Sequence, residues 1–230
     1  MPPYFSIVIP AYNEEKYIRS TLHSTQNQTF QDYEAIVVAN GCTDATEEVV
    51  KKRVDEKLRL LSLPKANVSV ARNAGALNAQ GKVLLFLDAD TQLALDGLQK
   101  MKELFQDSVA VAATKGRPDN TAFKYKAASA IKNMYLSAYL YQGCSGALLC
   151  RRDQFQQAGG YDPEIVIREH RKLILKLKSF GGYRCLDTYV TTSMRRFEQW
   201  GLGKIISFWT KKWFQDHFSS LKGSEYEKVR

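Results

Sequence analysis

The sequence has no apolar run of bilayer length. The longest runs, such as residues 83–87, are five residues long, against about 20 for a helix that crosses the hydrocarbon core. A leader pattern is also missing. Met1-Pro2-Pro3-Tyr4 enters a strand-like run at once, with no basic stretch ahead of an apolar one. The four cysteines, Cys42, Cys144, Cys150 and Cys185, are scattered and form no CxxC pair. That spacing argues against a disulfide framework or a zinc site and for reduced thiols in a cytoplasmic protein. Internal repeats and low-complexity segments are absent. What is present is a 230-residue chain with 44% hydrophobic residues, enough for a full core in one domain with or without an extension. The 33 Lys and Arg outnumber the 24 Asp and Glu, giving a net charge of +9. Three kinds of partner suit that excess: nucleic acid, an anionic membrane surface or an anionic small substrate. Arg168, Arg171, Lys172, Lys176 and Lys178 crowd one short segment, read mainly as a solvated basic face. No nucleic-acid motif accompanies the charge, so no nucleic-acid partner is expected.

The first half alternates strand and helix signals. Strands are predicted over residues 5–10, 35–39, 58–63, 83–87 and 109–114, and helices over 14–26, 44–56, 67–79 and 95–105. The run 83–87 is wholly apolar and should be central in the sheet. In the second half, helices are predicted over 122–141, 153–158 and 168–180. The last should turn Leu173, Ile174, Leu177 and Phe180 inward. Strands are expected up to Cys150, over 183–186 and over 189–192. This alternation predicts an α/β domain with a mostly parallel central sheet flanked by helices. Ligands of such sheets bind beyond the carboxyl ends of the strands. The segments after three strands, residues 10–14, 39–44 and 88–90, are polar or acidic and should converge there.

Asp88 and Asp90 carry the strongest chemical signal. Alternate residues of an extended segment point to one side, so both carboxylates can address one cation. Hard ions such as Mg²⁺ or Mn²⁺ take oxygen ligands and are usually held by one or two carboxylates plus substrate phosphates. A solvated acidic loop is the bland rival. The apolar strand before the pair and the surrounding pattern weigh against it.

That pattern is a sequence of motifs. Ser6-Ile7-Val8-Ile9-Pro10-Ala11-Tyr12-Asn13-Glu14-Glu15 is followed by Asn40-Gly41-Cys42-Thr43-Asp44. Ser69-Val70-Ala71-Arg72-Asn73-Ala74-Gly75 and Phe86-Leu87-Asp88-Ala89-Asp90 come next, then Gly159-Gly160-Tyr161-Asp162 in the place of the usual Gly-Gly-Phe-Asp element. In order and spacing, over about residues 4–205, this resembles the family 2 glycosyltransferases, which have the GT-A fold. Ser193-Met194-Arg195-Arg196-Phe197 with Gly201 resembles the ending of a bacterial subgroup of that family. The resemblance implies transfer of a sugar from a nucleotide-diphosphate donor to an acceptor, with inversion at the anomeric carbon and a divalent metal, Mn²⁺ or Mg²⁺. It implies biosynthesis of a polysaccharide or glycolipid, and a carbohydrate or lipid-linked acceptor.

It also implies roles for individual residues. Pro10, Ala11, Tyr12 and Glu14 line the nucleotide pocket, Asn40 stands where many members place a base-contacting aspartate, and Arg72 reaches the base or a phosphate. Asp88 and Asp90 hold the metal and through it the diphosphate, so Asp88 belongs to both sets. Arg195 and Arg196 are candidates for clamping the leaving diphosphate, a task that suits the guanidinium fork. Two departures stand out. Ala39 and Asn40 stand where most members have an aspartate pair or Asp-Asn, which leaves UDP-, GDP-, dTDP- and CDP-linked donors open. Glu169 and His170 replace the usual Glu-Asp, so either is a candidate base. A sugar nucleotidyltransferase would need a glycine-rich loop with a basic residue after the first strand, where Ala11-Tyr12-Asn13-Glu14 stands instead. A non-catalytic nucleotide-sugar binder is the other alternative.

The organisation expected is a transferase domain over residues 1–202 and an aromatic, basic extension over 203–230. Ile205, Ile206, Phe208, Trp209, Trp213, Phe214 and Phe218 lie there beside Lys204, Lys211 and Lys212. That mixture suits either packing on the domain or peripheral contact with the inner face of a membrane.

Overall fold

The computed structural model describes residues 1–218. Residues 219–230, Leu221 among them, and the side chains of Leu202, Ile206, Trp213, Asp216, His217 and Phe218 lie outside the described residues, with that part of the expected extension. The strands are β1 (Phe5–Ala11), β2 (Tyr33–Asn40), β3 (Leu58–Leu63), β4 (Val83–Leu87), β5 (Thr91–Leu93), β6 (Val109–Pro118), β7 (Ala147–Arg151) and β8 (Gly182–Thr192). The helices are α1 (Ile18–Gln26), α2 (Thr46–Lys51), α3 (Val68–Leu77), α4 (Gly97–Leu104), α5 (Phe123–Ser137), α6 (Arg152–Gln157), α7 (Glu169–Leu177) and α8 (Arg195–Phe218).

The strands form one sheet in the order β3-β2-β1-β4-β7-β6-β8-β5. The first four run parallel, as β–α–β crossovers require. β7 pairs antiparallel with both β4 and β6, β6 pairs parallel with β8, and β5 pairs antiparallel with β8. β4 lies between β1 and β7 with all its residues buried, the central place its unbroken apolar run predicts. Two hydrophobic layers cover the sheet. One includes Ile7, Ile9, Leu22, Leu85 and Leu98, and the other Val8, Phe86, Ala71, Tyr161 and Ile174. Alternate residues of β1 and β4 therefore feed opposite layers.

α1 buries Ile18 and Leu22, one turn apart, but starts later than the apolar spacing suggests. Asn13 takes a left-handed φ of 53°, which no helix accommodates, and the backbone N–H groups of Tyr17 and Ile18 both donate to Glu14 O in a turn. α3 begins at Asn67, whose side chain accepts from the Val70 N–H as an N-cap. Gly75 lets α3 close on β1: a Cβ there would lie 2.3 Å from Val8 Cγ1. β5 was not expected; three residues carry no legible period. The break predicted near residue 187 is a bulge within a single strand, where Thr114 pairs with Leu186 and Lys115 with Tyr189. Phe180 is exposed, unlike Leu173, Ile174 and Leu177. It follows the end of α7, so the helical period no longer aims it. α8 is broken at Gly201 (φ 72°, ψ 162°). None of the described helices is long and apolar enough to cross a membrane.

Candidate active site

The ends of β1, β2 and β4 converge. Asn13 Oδ1 accepts from the Thr43 N–H at 2.8 Å, and Thr46 Oγ1 accepts from the Glu14 N–H at 2.7 Å, tying the first loop to the second. The Asp88 N–H donates to Gly146 O at 2.9 Å. Gly146 has a φ of +93°, and a Cβ there would sit 2.4 Å from Thr91 Oγ1, so glycine lets the β7 loop approach the aspartates.

Two arginines organise the carboxylates. Arg72, on α3 and 3% exposed, donates through Nη1 to Glu169 Oε1 at 2.6 Å and through Nη2 to Asp88 Oδ1 at 2.9 Å. Arg195, at the start of α8, donates to both oxygens of Glu14 at 2.6 and 2.7 Å, and its Nη2 lies 3.0 Å from Asp90 Oδ2. Such fork-to-carboxylate geometry is the strong form of ion pair. Arg72, Asp88, Asp90, Glu169, His170 and Arg195 all face one cavity of about 540 Å³, which Arg196 also lines.

Burial decides the ionisation here. The Asp90 carboxyl is pushed up to about 6 by burial, opposed by Arg195 and reinforced by Asp88 and Glu14. Burial likewise raises Glu169, against the pull of Arg72. Burial works against the charge of Arg72, but Glu169 and Asp88 outweigh it and hold the guanidinium protonated. His170 is driven well below the usual imidazole range by burial, then by Arg72 and Lys132.

The other candidate residues are placed differently. Ala11 and Pro10 are buried within β1, so what they can offer a ligand is backbone. Asn40 is buried, and its Oδ1 accepts from the Asn67 N–H at 2.8 Å. Tyr12 is half-buried in the loop that follows β1. Asp88 and Asp90 supply oxygen ligands of the kind Mg²⁺ or Mn²⁺ takes, with Glu14 close enough to raise Asp90. Each of the two aspartates is paired to an arginine, and among the described residues no group of three or more His, Cys, Asp or Glu gathers around a cation position, so this donor set suits a divalent ion only together with ligand oxygens.

Some cavity residues went unrecognised in the sequence. Arg168, read as solvated surface, is buried with a left-handed φ of 59° ahead of α7, and it lines the cavity together with Arg171. Lys132 reaches the cavity from α5, where no motif marks it. The Tyr161 hydroxyl lies 2.9 Å from His170 Nδ1. The one legible sign of that contact was the phenol standing in a Gly-Gly-Phe-Asp element.

Comparison with known proteins bears on this arrangement. The profile of the family described as Glycosyl transferase family 2 matches residues 6–159. The chain belongs to that family. Glycosyltransferase GlyA of Streptococcus pneumoniae is 33% identical over 98 residues, 42% of this chain and 14% of that protein. Chondroitin synthase of Pasteurella multocida is 36% identical over 108 residues, 46% of this chain and 11% of that protein. The aligned segment covers 43% of a teichuronic acid biosynthesis glycosyltransferase homologue from Bacillus subtilis, so in each of these relatives the match takes in less than half of the protein. Among solved structures, mannosyltransferase PcManGT from Pyrobaculum calidifontis, in complex with GDP-Man and Mn²⁺, superposes with a TM-score of 0.71 at 19% identity, covering 92% of this chain and 65% of that one. S. aureus TarS 1-349 in complex with UDP-GlcNAc gives a TM-score of 0.66 at 21% identity, covering 83% and 58%. The fold of this family 2 member is GT-A.

Proposed function

We propose that this family 2 chain is a glycosyltransferase that moves a sugar from a nucleotide-diphosphate donor to an acceptor hydroxyl, with inversion at the anomeric carbon. The observation that carries the reading is the cavity in which Asp88, Asp90, Glu169 and Arg195 meet. The nucleotide is assigned to the ends of β1, β2 and β4, over the Pro10–Ala11 backbone, Tyr12, Glu14, Asn40 and Arg72. Asp88 and Asp90 would hold a Mn²⁺ or Mg²⁺ ion, which would supply positive charge against the diphosphate. Arg195, with Arg196 beside it, supplies fixed positive charge toward the leaving phosphate oxygens. Glu169 accepts the proton of the acceptor hydroxyl. Burial raises its pKa, which makes it a stronger base than an ordinary carboxylate. Complexes of TarS with UDP-GlcNAc and of PcManGT with GDP-Man, on the same fold, support a nucleotide-sugar donor.

The part after residue 202 belongs to this reading as an extension that touches a membrane peripherally and brings a lipid-linked acceptor within reach. Trp209 and Phe214 are exposed on α8 beside the exposed Lys204 and Lys211, a mixture that suits an anionic interface. Trp209 also lines the cavity, which connects that surface to the site.

Calorimetry with UDP, GDP, dTDP and CDP tests the donor site. Binding is expected to be tighter with Mn²⁺ than with EDTA, and D90A should abolish the difference. Equal affinities in all three conditions would remove the metal from the reading. No binding of UDP, GDP, dTDP or CDP by the wild type would remove the donor site.

A further inference from the structure

Beneath the ion pairs lies a buried polar contact that the proposed reaction does not use. The Tyr161 ring is 2% exposed and packs edge-on to Phe86, with centroids 5.1 Å apart. Its hydroxyl lies 2.9 Å from His170 Nδ1. Arg72 covers the same ring, its guanidinium carbon 5.4 Å from the centroid. Among the described residues, His170 Nδ1 is the hydroxyl's one side-chain partner.

A buried hydroxyl with one partner gives its proton to that partner, because an undonated O–H in a dry site is unfavourable. Both groups stay neutral. Burial raises the phenol far above its usual value, and burial with two nearby cations lowers the imidazole. A neutral imidazole carries one N–H and one lone pair. With the lone pair at Nδ1 facing the phenol, the proton must sit on Nε2. That nitrogen is buried and makes no hydrogen bond among the described residues. Its nearest carboxylate oxygen, Glu169 Oε1, is 4.0 Å away, beyond hydrogen-bond range. Nε2 itself has almost no accessible surface, while the residue that carries it lines the cavity, so a ligand oxygen that reaches the ring edge is the partner that Nε2–H lacks.

We propose that Tyr161 locks His170 as the Nε2–H tautomer, so that the ring offers the cavity a neutral hydrogen-bond donor and no basic nitrogen. The donor lies 4.0 Å from Glu169 Oε1 and suits an uncharged hydroxyl or carbonyl oxygen of the acceptor. Tyr161 is then a positioning residue. The tautomer stands on the geometry alone, while the ligand assigned to it rests on the transferase reading, which supplies the acceptor and Glu169 as the base.

The test is spectroscopic. In the ¹⁵N-labelled full chain at neutral pH, two-bond ¹H–¹⁵N correlations report which ring nitrogen of each of the three histidines carries the proton. H170Q identifies the His170 signals. The expected pattern is a protonated Nε2 and an unprotonated Nδ1. Y161F keeps the ring and removes the hydroxyl, and it should shift His170 toward a tautomer mixture or toward Nδ1–H. A wild-type proton on Nδ1, protons on both nitrogens, or a Y161F pattern identical to the wild type would each overturn the proposal. The wild-type spectrum decides the tautomer even if Y161F fails to fold. Turnover of E169Q reads the base separately, so a failure of the transferase reading leaves the spectroscopic result standing.

Discussion

Replacing Asp90 with asparagine should make the protein more stable and less able to bind its nucleotide. The carboxyl is largely buried, with 18% of its side chain exposed, and its pKa moves from 3.8 to about 6. A folded-state value above the unfolded one means that the native state resists deprotonation. Asp90 therefore contributes no destabilisation below pH 3.8. Its effect grows as pH rises from there to about 6 and is complete above it. The displacement corresponds to about 3 kcal/mol as a ceiling. Asparagine has nearly the same shape and cannot ionise. Its carbonyl can still accept from Arg195, and Arg195 keeps its two bonds to Glu14, so no buried guanidinium is orphaned. For a chain of this size, 1 kcal/mol moves the melting temperature by about 2–4 °C. Calorimetric melts in EDTA should therefore place D90N above the wild type at pH 8, by up to roughly 6–12 °C, with the gap closing toward pH 4. Adding Mn²⁺ with a nucleotide diphosphate should narrow it at pH 8, because ligand binding then stabilises only the wild type. Equal melting temperatures at pH 8, or a gap that does not change between pH 4 and pH 8, would refute the reasoning.

Arg72→Met removes the counter-charge of two carboxylates. The Asp88 arm is partly solvated and screened, so the loss should come mainly from Glu169 and reach about 3 kcal/mol in urea unfolding. The double variant R72M/E169Q should recover part of it, and a loss below about 1 kcal/mol in R72M would count against the buried pair. The intact chain should co-sediment with anionic vesicles at low salt and release as salt rises; no binding at low salt would defeat the peripheral-membrane reading.

The carboxyl-end site was legible because the motifs sit where a parallel sheet exposes its strand ends. Wholly apolar β4 announced its central place, and Asp88 and Asp90 followed directly from it. What was not legible depends on contacts between distant segments. Arg195 reads in the sequence as a candidate clamp for the leaving diphosphate, and nothing in the sequence reveals that it reaches back to Glu14. Arg168 reads as part of a charged surface run, yet it is buried at a left-handed position that no period predicts. Tyr161 and His170 each depart from the family pattern, and only three dimensions reveal that the two departures touch. Short β5 and the bulge in β8 escaped because propensity over three residues carries almost no information against tertiary pairing.

The bond between Glu14 and Arg195 joins residues 181 positions apart. Synthesis delivers the amino-terminal strands first. β1 to β4 can pair while Arg195 is still unmade, and for that interval Glu14 and Asp90 stand as like charges with no cation between them. The parallel half of the sheet can form before its site is balanced, and closing that long loop comes late because distant contacts demand the most chain entropy. Mutations that weaken this closure should therefore leave an ordered sheet carrying a mis-set, strongly acidic crevice, an inactive protein that is hard to tell from the active one by secondary structure alone.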